Sequence, residues 1–306
     1  MKYFSMFSGI GGFELGIGDQ ANCAGFSEID KYAIEVYKKH FPTHRNYGDA
    51  TTIKTDDLPD FDLLVGGFPC QSFSIAGKRG GFDDTRGTLF FDVARILKDK
   101  MVRCVVLENV KGLLSHDNGI TFQTILTILT DIGYHVQWQV LNSKDFGVPQ
   151  NRERVFIVGH LGGRGRSEVF PVGRSNNQII KQINSGVRET ERVYDETGLS
   201  PTLNTMQGGQ RQPKICVPVL TPERPEKRQN GRRFKTDGEP AFTLTAQDRH
   251  GIFDGYRIRK LTPLECERLQ GFPDNWTVGH SDSQRYKMCG NAVTTNVVKA
   301  VIKKLV

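Results

Sequence analysis

The sequence lacks the features that would carry it into or through a membrane. No run of about 18 apolar residues is present, which excludes an ordinary transmembrane helix. The first residues hold one basic residue and then meet glycines, without the apolar stretch and cleavage site of a signal peptide. Cysteines in paired spacing, which would indicate a zinc site, are also missing. We therefore expect a cytoplasmic protein with free thiols at Cys23, Cys70, Cys104, Cys216, Cys266 and Cys289.

Most of the chain also lacks an excess of charge of either sign. The net charge is +7, and residues 164–260 hold 18 Lys or Arg against 11 Asp or Glu, so this one segment carries the whole excess. A basic segment on a neutral body is typical of a surface that binds a polyanion. An arginine-rich face exposed to solvent explains the count equally well, and charge alone does not separate the two.

Short apolar strands alternate with helical patterns over the first part of the chain. This alternation predicts a Rossmann-like α/β fold, in which a mixed, mostly parallel sheet has helices on both faces. Ligands of such sheets bind beyond the carboxyl ends of the strands. The predicted strands are residues 2–6, 24–29, 62–65, 103–107, 134–141 and 154–158. The predicted helices are residues 31–40, 88–97, 120–132, 263–270 and 291–305.

Segments rich in Gly, Pro, Asn, Gln and Arg follow after about residue 162. We expect a catalytic domain over residues 1–163, a smaller irregular domain with strands over 164–285, and a C-terminal helix within 286–306 that returns to the first domain. In the middle segment, Ser-Pro-Thr-Leu-Asn-Thr at residues 200–205 resembles Ala-Phe-Thr-Leu-Thr-Ala at residues 241–246. A duplicated strand–loop–strand element and chance similarity both explain the likeness.

A glycine-rich turn, Phe-Ser-Gly-Ile-Gly-Gly-Phe-Glu, follows the first predicted strand at residues 7–14. Glycines here allow a tight turn and a close approach of the backbone to a bound cofactor. After the second strand, the carboxylate of Glu28 can accept hydrogen bonds from both hydroxyls of a ribose. The turn is not the full dinucleotide fingerprint, and a solvated carboxylate at a strand end is the plainer interpretation of Glu28.

The third strand ends in Gly-Gly-Phe-Pro-Cys-Gln-Ser-Phe-Ser, residues 66–74. Pro69 stiffens this turn and places Cys70 at the edge of the sheet where ligands bind. A lone cysteine is usually a small buried apolar residue. Here glycines, a proline and polar residues surround it, and a thiolate at such an edge is well suited to attack an electron-poor ring carbon.

Charged side chains occur at the ends of two further predicted strands. Glu108 follows residues 103–107 and should share a pocket with Cys70, where a partly buried carboxyl group could donate a proton. Arg152 and Arg154 should point to one face of an extended segment, and together they could clamp a phosphate or polarise a substrate oxygen. A salt bridge to Glu153 at the strand entry explains the two arginines equally well.

Six motifs occur in a characteristic order along nearly the whole chain. They are Phe-x-Gly-x-Gly-Gly from residue 7, Pro-Cys-Gln from 69, Glu-Asn-Val from 108, Gln-Asn-Arg-Glu-Arg from 150, Arg-Lys-Leu-Thr-Pro-Leu-Glu-Cys from 259 and Gly-Asn-Ala-Val from 290. In this order they resemble the motifs of the DNA cytosine-5 methyltransferases of bacterial or phage restriction-modification type. The resemblance implies an S-adenosylmethionine-dependent enzyme, needing no metal, that methylates C5 of a cytosine flipped out of double-stranded DNA.

The resemblance also implies a role for individual residues. Cys70 is the nucleophile, Glu108 contacts N3 of the base, Arg152 and Arg154 support base and nucleophile, and a water near Gln71 removes the C5 proton. The cofactor site is expected to involve Phe7, Ser8, Gly9, Ile10, Gly11, Gly12, Glu28, Ile29, Asp49, Ala50, Pro69, Leu89, Asn291, Ala292 and Val293. The expected DNA contacts are Ser74, Lys78 and Arg86 in a mobile loop, and Arg228, Arg232, Arg233 and Thr243 in the recognition segment.

Two positions depart from the family pattern, and both concern the cofactor. Many members have an acidic residue where Ser5 stands and an aromatic residue where Ile29 would pack on adenine, which puts cofactor affinity in question, not activity. A tRNA-acting member would lack the long recognition segment, and an adenine-N6 or cytosine-N4 enzyme would carry Asp/Asn-Pro-Pro-aromatic in place of Pro69-Cys70. A non-catalytic DNA-binding regulator would not need Cys70. We expect a monomer, with any cognate endonuclease acting separately.

Overall fold

The computed structural model describes most of the first half of the chain and its C-terminal part. The described residues are 1–69, 89–162, 169–172, 193–194, 214–215, 217–220, 235, 239–245, 250–253 and 258–305. Within these ranges, no helix has the length and apolar character needed to cross a membrane. The same ranges contain no cluster of His, Cys, Asp and Glu that could hold a metal ion.

Six strands form the central sheet: β1 Lys2–Met6, β2 Asn22–Ser27, β3 Leu63–Gly67, β4 Cys104–Val110, β5 Tyr134–Asn142 and β6 Glu153–Leu161. Their order is β2-β1-β3-β4-β6-β5. The first four strands in this order are parallel, whereas β6 runs antiparallel to both of its neighbours, β4 and β5. The predicted mixed, mostly parallel α/β sheet is confirmed.

Both faces of the central strands are buried. Phe4 and Met6 of β1 pack in one apolar cluster, and Tyr3, which precedes Phe4, packs in a second cluster on the other side. In β3 the same division separates Leu64 from Leu63. A strand covered on both faces has a continuous apolar run instead of an alternating pattern, which explains why these segments were recognisable as buried strands.

The described helices cover the sheet and extend to the C-terminus: α1 Gly12–Ile17, α2 Lys31–His40, α3 Leu89–Lys100, α4 Ile120–Asp131, α5 Pro263–Leu269, α6 Asp282–Asn291 and α7 Thr295–Leu305. Side chains fix where two of them begin. The Asp30 carboxylate accepts hydrogen bonds from backbone N–H groups in the first turn of α2. Thr262 and Glu265 form a reciprocal capping box at the start of α5.

The C-terminal helical region differs from the prediction of one helix over residues 291–305. The structure has α6 ending at Asn291 and α7 beginning at Thr295. Ala292 between them is extended, with φ −67° and ψ 148°. Its carbonyl oxygen accepts from the side chains of Arg152 and Gln270 at 2.9 and 3.0 Å, so it serves a tertiary contact instead of a continuing helix.

Glycines of α1 allow α7 and the residues just before it to approach closely. A Cβ atom at Gly16 would lie 2.6 Å from Val298 Cβ, and one at Gly12 would lie 2.9 Å from Val293 Cγ1. Real Cβ atoms do not come this close to their neighbours, so both positions require glycine. Gly12, which the sequence assigned to the cofactor turn, therefore packs against the C-terminal region.

Short strands occur in the second half of the chain: β7 Val193–Tyr194, β8 Lys214–Ile215, β9 Val217–Leu220, β10 His250–Phe253 and β11 Ile258–Lys260. The last three form an antiparallel sheet, and β7 pairs with β8 in parallel. Of the two similar blocks, residues 200–205 lie outside the described residues. The described part of the other, residues 241–245, makes one bridge, from Ala241 to Gln150, and no strand.

Residues that follow α5 pack against the first part of the chain. Trp276 Nε1 donates to the Ile10 carbonyl oxygen at 2.8 Å, and the indole ring stacks on His40 with 3.6 Å between ring centroids. Phe272 joins Ile10 and Trp276 in one apolar cluster. The domain boundary at residue 285 stays a prediction, but this part of the expected recognition domain contacts the turn before α1 and the end of α2.

A buried polar cluster lies behind the glycine-rich turn. Glu14 of α1 is 2% exposed, and its Oε1 accepts from the Tyr37 hydroxyl at 3.1 Å. The same hydroxyl lies 3.0 Å from His44 Nδ1. Burial raises the pKa of the Glu14 carboxyl from 4.5 to about 7. This carboxyl group therefore holds its proton in the folded protein at a pH where the unfolded chain has released it.

Replacing Glu14 with Gln should remove a pH dependence of stability. Folded Glu14 titrates near pH 7 and unfolded Glu14 near 4.5, so its contribution to stability falls as the pH rises between these values. The free energy of unfolding of Glu14→Gln should exceed that of the wild type by a margin that grows over this range, to about 3 kcal/mol at most. Urea unfolding at a series of pH values measures it, and a margin independent of pH would contradict this account.

Candidate active site

The register of β3 and β4 places the end of one strand beside Glu108. Gly67 is the partner of Glu108 across the parallel pair, and a Cβ atom at Gly67 would lie 3.1 Å from Glu108 Oε2. The next strand residue, Asn109, donates from Nδ2 to the Phe68 carbonyl oxygen at 2.9 Å. These contacts fix the point where the chain leaves β3, two residues before Cys70.

An ion pair joins Glu108 to the start of β6. Arg154 Nε lies 3.0 Å from Glu108 Oε1, and the two side chains are 15% and 12% exposed. Arg154 Nη1 also donates to the carbonyl oxygen of Glu153 at 2.8 Å. The Glu153 carboxylate pairs instead with Lys111 at 2.9 Å, so the alternative of a salt bridge from the arginines to Glu153 is wrong. Arg154 fixes one oxygen of Glu108 and leaves Oε2 on the side of β3.

Arg152 interacts electrostatically with Glu108 and Arg154, but its hydrogen bonds go to other residues. It is 2% exposed, and its Nη1 donates to the Leu244 carbonyl oxygen at 2.7 Å. Its Nη2 donates to the carbonyl oxygens of Gly290 and Ala292 at 3.1 and 2.9 Å. Burial, together with the charge of Arg154, lowers the pKa of Arg152 to about 9, and Glu108 opposes the shift. Both terminal nitrogens thus bond to backbone oxygens, which is not the phosphate clamp considered from the sequence.

The expected cofactor edge has a backbone suited to a ligand. Phe7, Gly9 and Gly11 all have positive φ, at 55°, 56° and 88°, so the turn after β1 is left-handed at three places. Gly9 faces open space, and its N–H donates to Glu28 Oε2 at 2.8 Å. Ile29, next to Glu28, is 71% exposed, which is unusual for a large apolar side chain. The predicted site for the ribose and adenine of S-adenosylmethionine therefore has an anchored carboxylate, an open glycine and an exposed apolar side chain.

The remaining predicted cofactor residues divide into two groups. The Asp49 carboxylate accepts from the backbone and the hydroxyl of Thr51 at 2.9 and 2.8 Å, and these bonds lower the pKa of Asp49. Exposed or half-buried residues, which are able to touch a ligand, are Asp49, Pro69, Leu89 and Asn291. Buried residues, which support the turn from below, are Ser8, Ile10, Gly11, Gly12, Ala50, Ala292 and Val293.

The structure describes one of the predicted DNA contacts, Thr243. The catalytic and DNA-contacting residues outside the described residues are Cys70, Gln71, Ser74, Lys78, Arg86, Arg228, Arg232 and Arg233. Thr243 is described, and its hydroxyl donates to the Asn151 carbonyl oxygen at 2.6 Å. A hydroxyl has one proton to donate, so in this conformation Thr243 cannot also donate it to a phosphate.

Sequence reasoning assigned no role to three buried amide side chains near this site. They are Asn109, Gln150 and Gln270, each no more than 3% exposed. Asn109 and Gln150 lie inside two of the six family motifs, and this position could have indicated that they matter. Gln270 follows α5 and lies outside these motifs. Nothing in the surrounding sequence distinguishes a buried glutamine from a solvated one.

Comparison with known proteins decides the family. A family model described as C-5 cytosine-specific DNA methylase matches residues 1–306. The chain belongs to this family. Among its relatives, the orphan methyltransferase M.SPRI of Bacillus phage SPR is 36% identical, covering 100% of this chain and 97% of that protein. The type II methyltransferase M.NlaX of Neisseria lactamica is 39% identical, covering 99% and 96%.

A solved structure supports the fold of this C-5 cytosine-specific DNA methylase. The crystal structure of S. pombe Dnmt2 methyltransferase matches with a TM-score of 0.65 at 18% identity, covering 100% of this chain and 98% of the other. At this identity the likeness concerns the fold alone. The predicted family and enzyme class are confirmed: this is a DNA methyltransferase that acts at C5 of cytosine, in a family that uses S-adenosylmethionine.

Adding a methyl group at Gly67 should disturb Glu108 without unfolding the methylase. The new Cβ would lie 3.1 Å from Oε2, so the carboxyl group must move by a few tenths of an ångström. Gly67→Ala should therefore slow methyl transfer about tenfold or more with little change in thermal unfolding.

The neighbouring glycine provides the control. A Cβ at Gly66 would lie 2.8 Å from the backbone oxygen of Met6, which cannot move aside as a side chain can. Gly66→Ala should lower the unfolding temperature markedly. The assignment of Glu108 is contradicted if Gly67→Ala keeps the wild-type rate, or if it loses stability as much as Gly66→Ala does.

Proposed function

We propose that this methylase flips a cytosine out of double-stranded DNA and methylates it through a covalent bond between Cys70 and C6. The observation that carries the proposal is the placement of Gly67 and Phe68 at the end of β3. Asn109 holds the Phe68 carbonyl oxygen, and Glu108 lies beside Gly67 across the strand pair. Cys70 follows Pro69 directly in sequence, and this short connection from the end of β3 supports a nucleophile supplied close to the Glu108 carboxyl group.

The chemistry requires both groups because C5 of cytosine is a poor nucleophile. Addition of the Cys70 thiolate to C6, with Glu108 hydrogen-bonded to or protonating N3, makes C5 resemble an enamine carbon. C5 then takes the methyl group, which S-adenosylmethionine supplies on a sulfonium centre when bound. A water near Gln71 accepts the C5 proton, and the electrons of that bond expel the Cys70 thiolate from C6.

Glu108 is oriented for this role by its ion pair. Arg154 contacts Oε1, whereas Oε2 lies on the side of Gly67, where the chain continues toward Cys70. One oxygen is therefore held by the protein, and the other is left to address the base. A carboxyl group fixed in this way loses little freedom when the substrate enters, which is the condition for an effective proton donor.

DNA must supply the binding energy that brings the base out of the helix. C5 is unreachable in a stacked duplex, and extrusion costs a few kcal/mol. We propose that the basic residues of segment 164–285, with Ser74, Lys78 and Arg86, contact the phosphates and offset this cost. The excess of seven positive charges within residues 164–260 supports this assignment.

A mechanism-based trap tests the nucleophile. Duplex DNA containing 5-fluorocytosine should form a stable adduct with the wild type and S-adenosylmethionine, because fluorine cannot leave as a proton. Cys70→Ser should form none and should not transfer methyl groups, since its hydroxyl is a far weaker nucleophile. Cys23→Ser, a half-buried cysteine of β2, should form the adduct normally. Mass spectrometry locates the bond, and an adduct on another cysteine would overturn the proposal.

The exposed side chain of Ile29 tests the cofactor edge. If adenine packs on it, Ile29→Ser should weaken S-adenosylhomocysteine binding about tenfold, and Ile29→Phe should strengthen it. Neither change should alter thermal unfolding of the free protein, because the side chain is 71% exposed. Met101→Ser, at 65% exposure, is the control and should bind normally. Equal affinities in all variants, measured by calorimetry, would remove Ile29 from the site.

A further inference from the structure

An extended segment of the second half of the chain docks on the loop between β5 and β6. Asn151 N donates to the Ala241 carbonyl oxygen at 2.9 Å, and Ala241 N donates to that of Pro149 at 3.0 Å. Two residues further on, the Thr243 hydroxyl donates to the Asn151 carbonyl oxygen at 2.6 Å. We call residues 241–244 the docked segment.

Buried amides continue this contact into the molecule. Gln150 is fully buried, and its Oε1 accepts from Leu244 N at 2.9 Å while its Nε2 donates to the Leu269 carbonyl oxygen at 2.8 Å. Gln270 is also fully buried, and its Nε2 donates to the carbonyl oxygens of Cys289 and Ala292 at 2.7 and 3.0 Å. The docked segment, the end of α5 and the chain between α6 and α7 thus share one hydrogen-bonded junction.

Arg152 links the two sides of this junction with one rigid group. Its Nη1 bonds to Leu244 of the docked segment, and its Nη2 bonds to Gly290 and Ala292. These last two residues flank Asn291, which the resemblance to the family assigns to the cofactor site. A guanidinium group is planar, so its nitrogens hold the two segments at a fixed separation. Burying a cation costs free energy, and here carbonyl oxygens offset that cost instead of a carboxylate.

We propose that Arg152 is a positioning residue that sets the docked segment and residues 290–292 in one register, so that it supports the binding of DNA and of S-adenosylmethionine at the same time. Thr243 acts on the DNA side only, as a docking contact and not as a phosphate ligand. This inference rests on the proposed function, in which the second half of the chain contacts DNA. It replaces the assignment of Arg152 as a group that touches the base.

The test compares two affinities in the full-length protein. Dissociation constants for S-adenosylhomocysteine alone and for cognate duplex DNA alone are measured by calorimetry and by fluorescence anisotropy. Arg152→Lys keeps the charge but cannot bond to both segments, so both constants should rise about tenfold or more. Thr243→Val keeps the shape and removes one hydrogen bond, so the constant for DNA should rise and that for S-adenosylhomocysteine should not change.

The double variant and a control sharpen the result. Effects of Arg152→Lys and Thr243→Val on DNA affinity should be non-additive, because both changes release the same segment. Arg268→Lys is the matched control, since this arginine pairs with Asp274 on the surface of α5, and both constants should stay at the wild-type value. Circular dichroism shows whether each variant is folded before its binding is measured.

Three outcomes would overturn the inference. If folded Arg152→Lys keeps the wild-type dissociation constants for both ligands but transfers methyl groups more slowly, Arg152 acts in catalysis and not in positioning. If Thr243→Val weakens the binding of DNA and of S-adenosylhomocysteine equally, Thr243 does not act on the DNA side alone. The slope of DNA affinity against salt concentration reports the number of phosphate contacts. If this slope falls in Thr243→Val by the amount expected for one contact, Thr243 is a phosphate ligand. Because these readouts need no covalent adduct, failure of the Cys70 trap is distinguishable from failure of this inference.

Discussion

The antiparallel direction of β6 is the constraint on which the site depends. β3 and β4 are parallel, so Gly67 and Glu108 reach the same edge of the sheet. β6 begins at that edge because it runs the opposite way, and Arg154 at its start meets Glu108 at 3.0 Å. A parallel strand in this place would begin at the far edge and carry its arginines away from the carboxyl group.

Charge burial then determines how the edge is organised. Glu108 and Arg154 form an ion pair, whereas Arg152 donates hydrogen bonds to backbone oxygens of two distant segments. Apolar side chains could fill the same volume at a lower desolvation cost, but apolar contacts would let the two segments shift relative to each other. Hydrogen bonds to named carbonyl oxygens allow one register only. The polar junction therefore gives residues 241–244 a defined position against the loop between β5 and β6.

Much of this organisation could be predicted from the sequence, but the elements and contacts differ in how strongly the sequence indicates them. β1 and α2 have the predicted bounds because their apolar periods are strong and Asp30 marks the helix start. α6 was missed because its ten residues, Asp-Ser-Gln-Arg-Tyr-Lys-Met-Cys-Gly-Asn, have little apolar pattern. The partners of Arg152 could not be foreseen, since a backbone carbonyl leaves no trace in residue type. Motif order identified the chemistry, and only coordinates showed which arginine faces Glu108.

The most direct test of this account is the single-turnover rate of methyl transfer by Glu108→Gln with both substrates saturating. The change keeps the shape of the side chain and removes its proton, so the rate should fall by roughly 10²–10⁴. Glu153→Gln, whose carboxylate pairs with Lys111 at the surface, is the control and should keep the wild-type rate. A near wild-type rate in Glu108→Gln, or an equal loss in both variants, would contradict the assignment of Glu108 as the group that acts on the base.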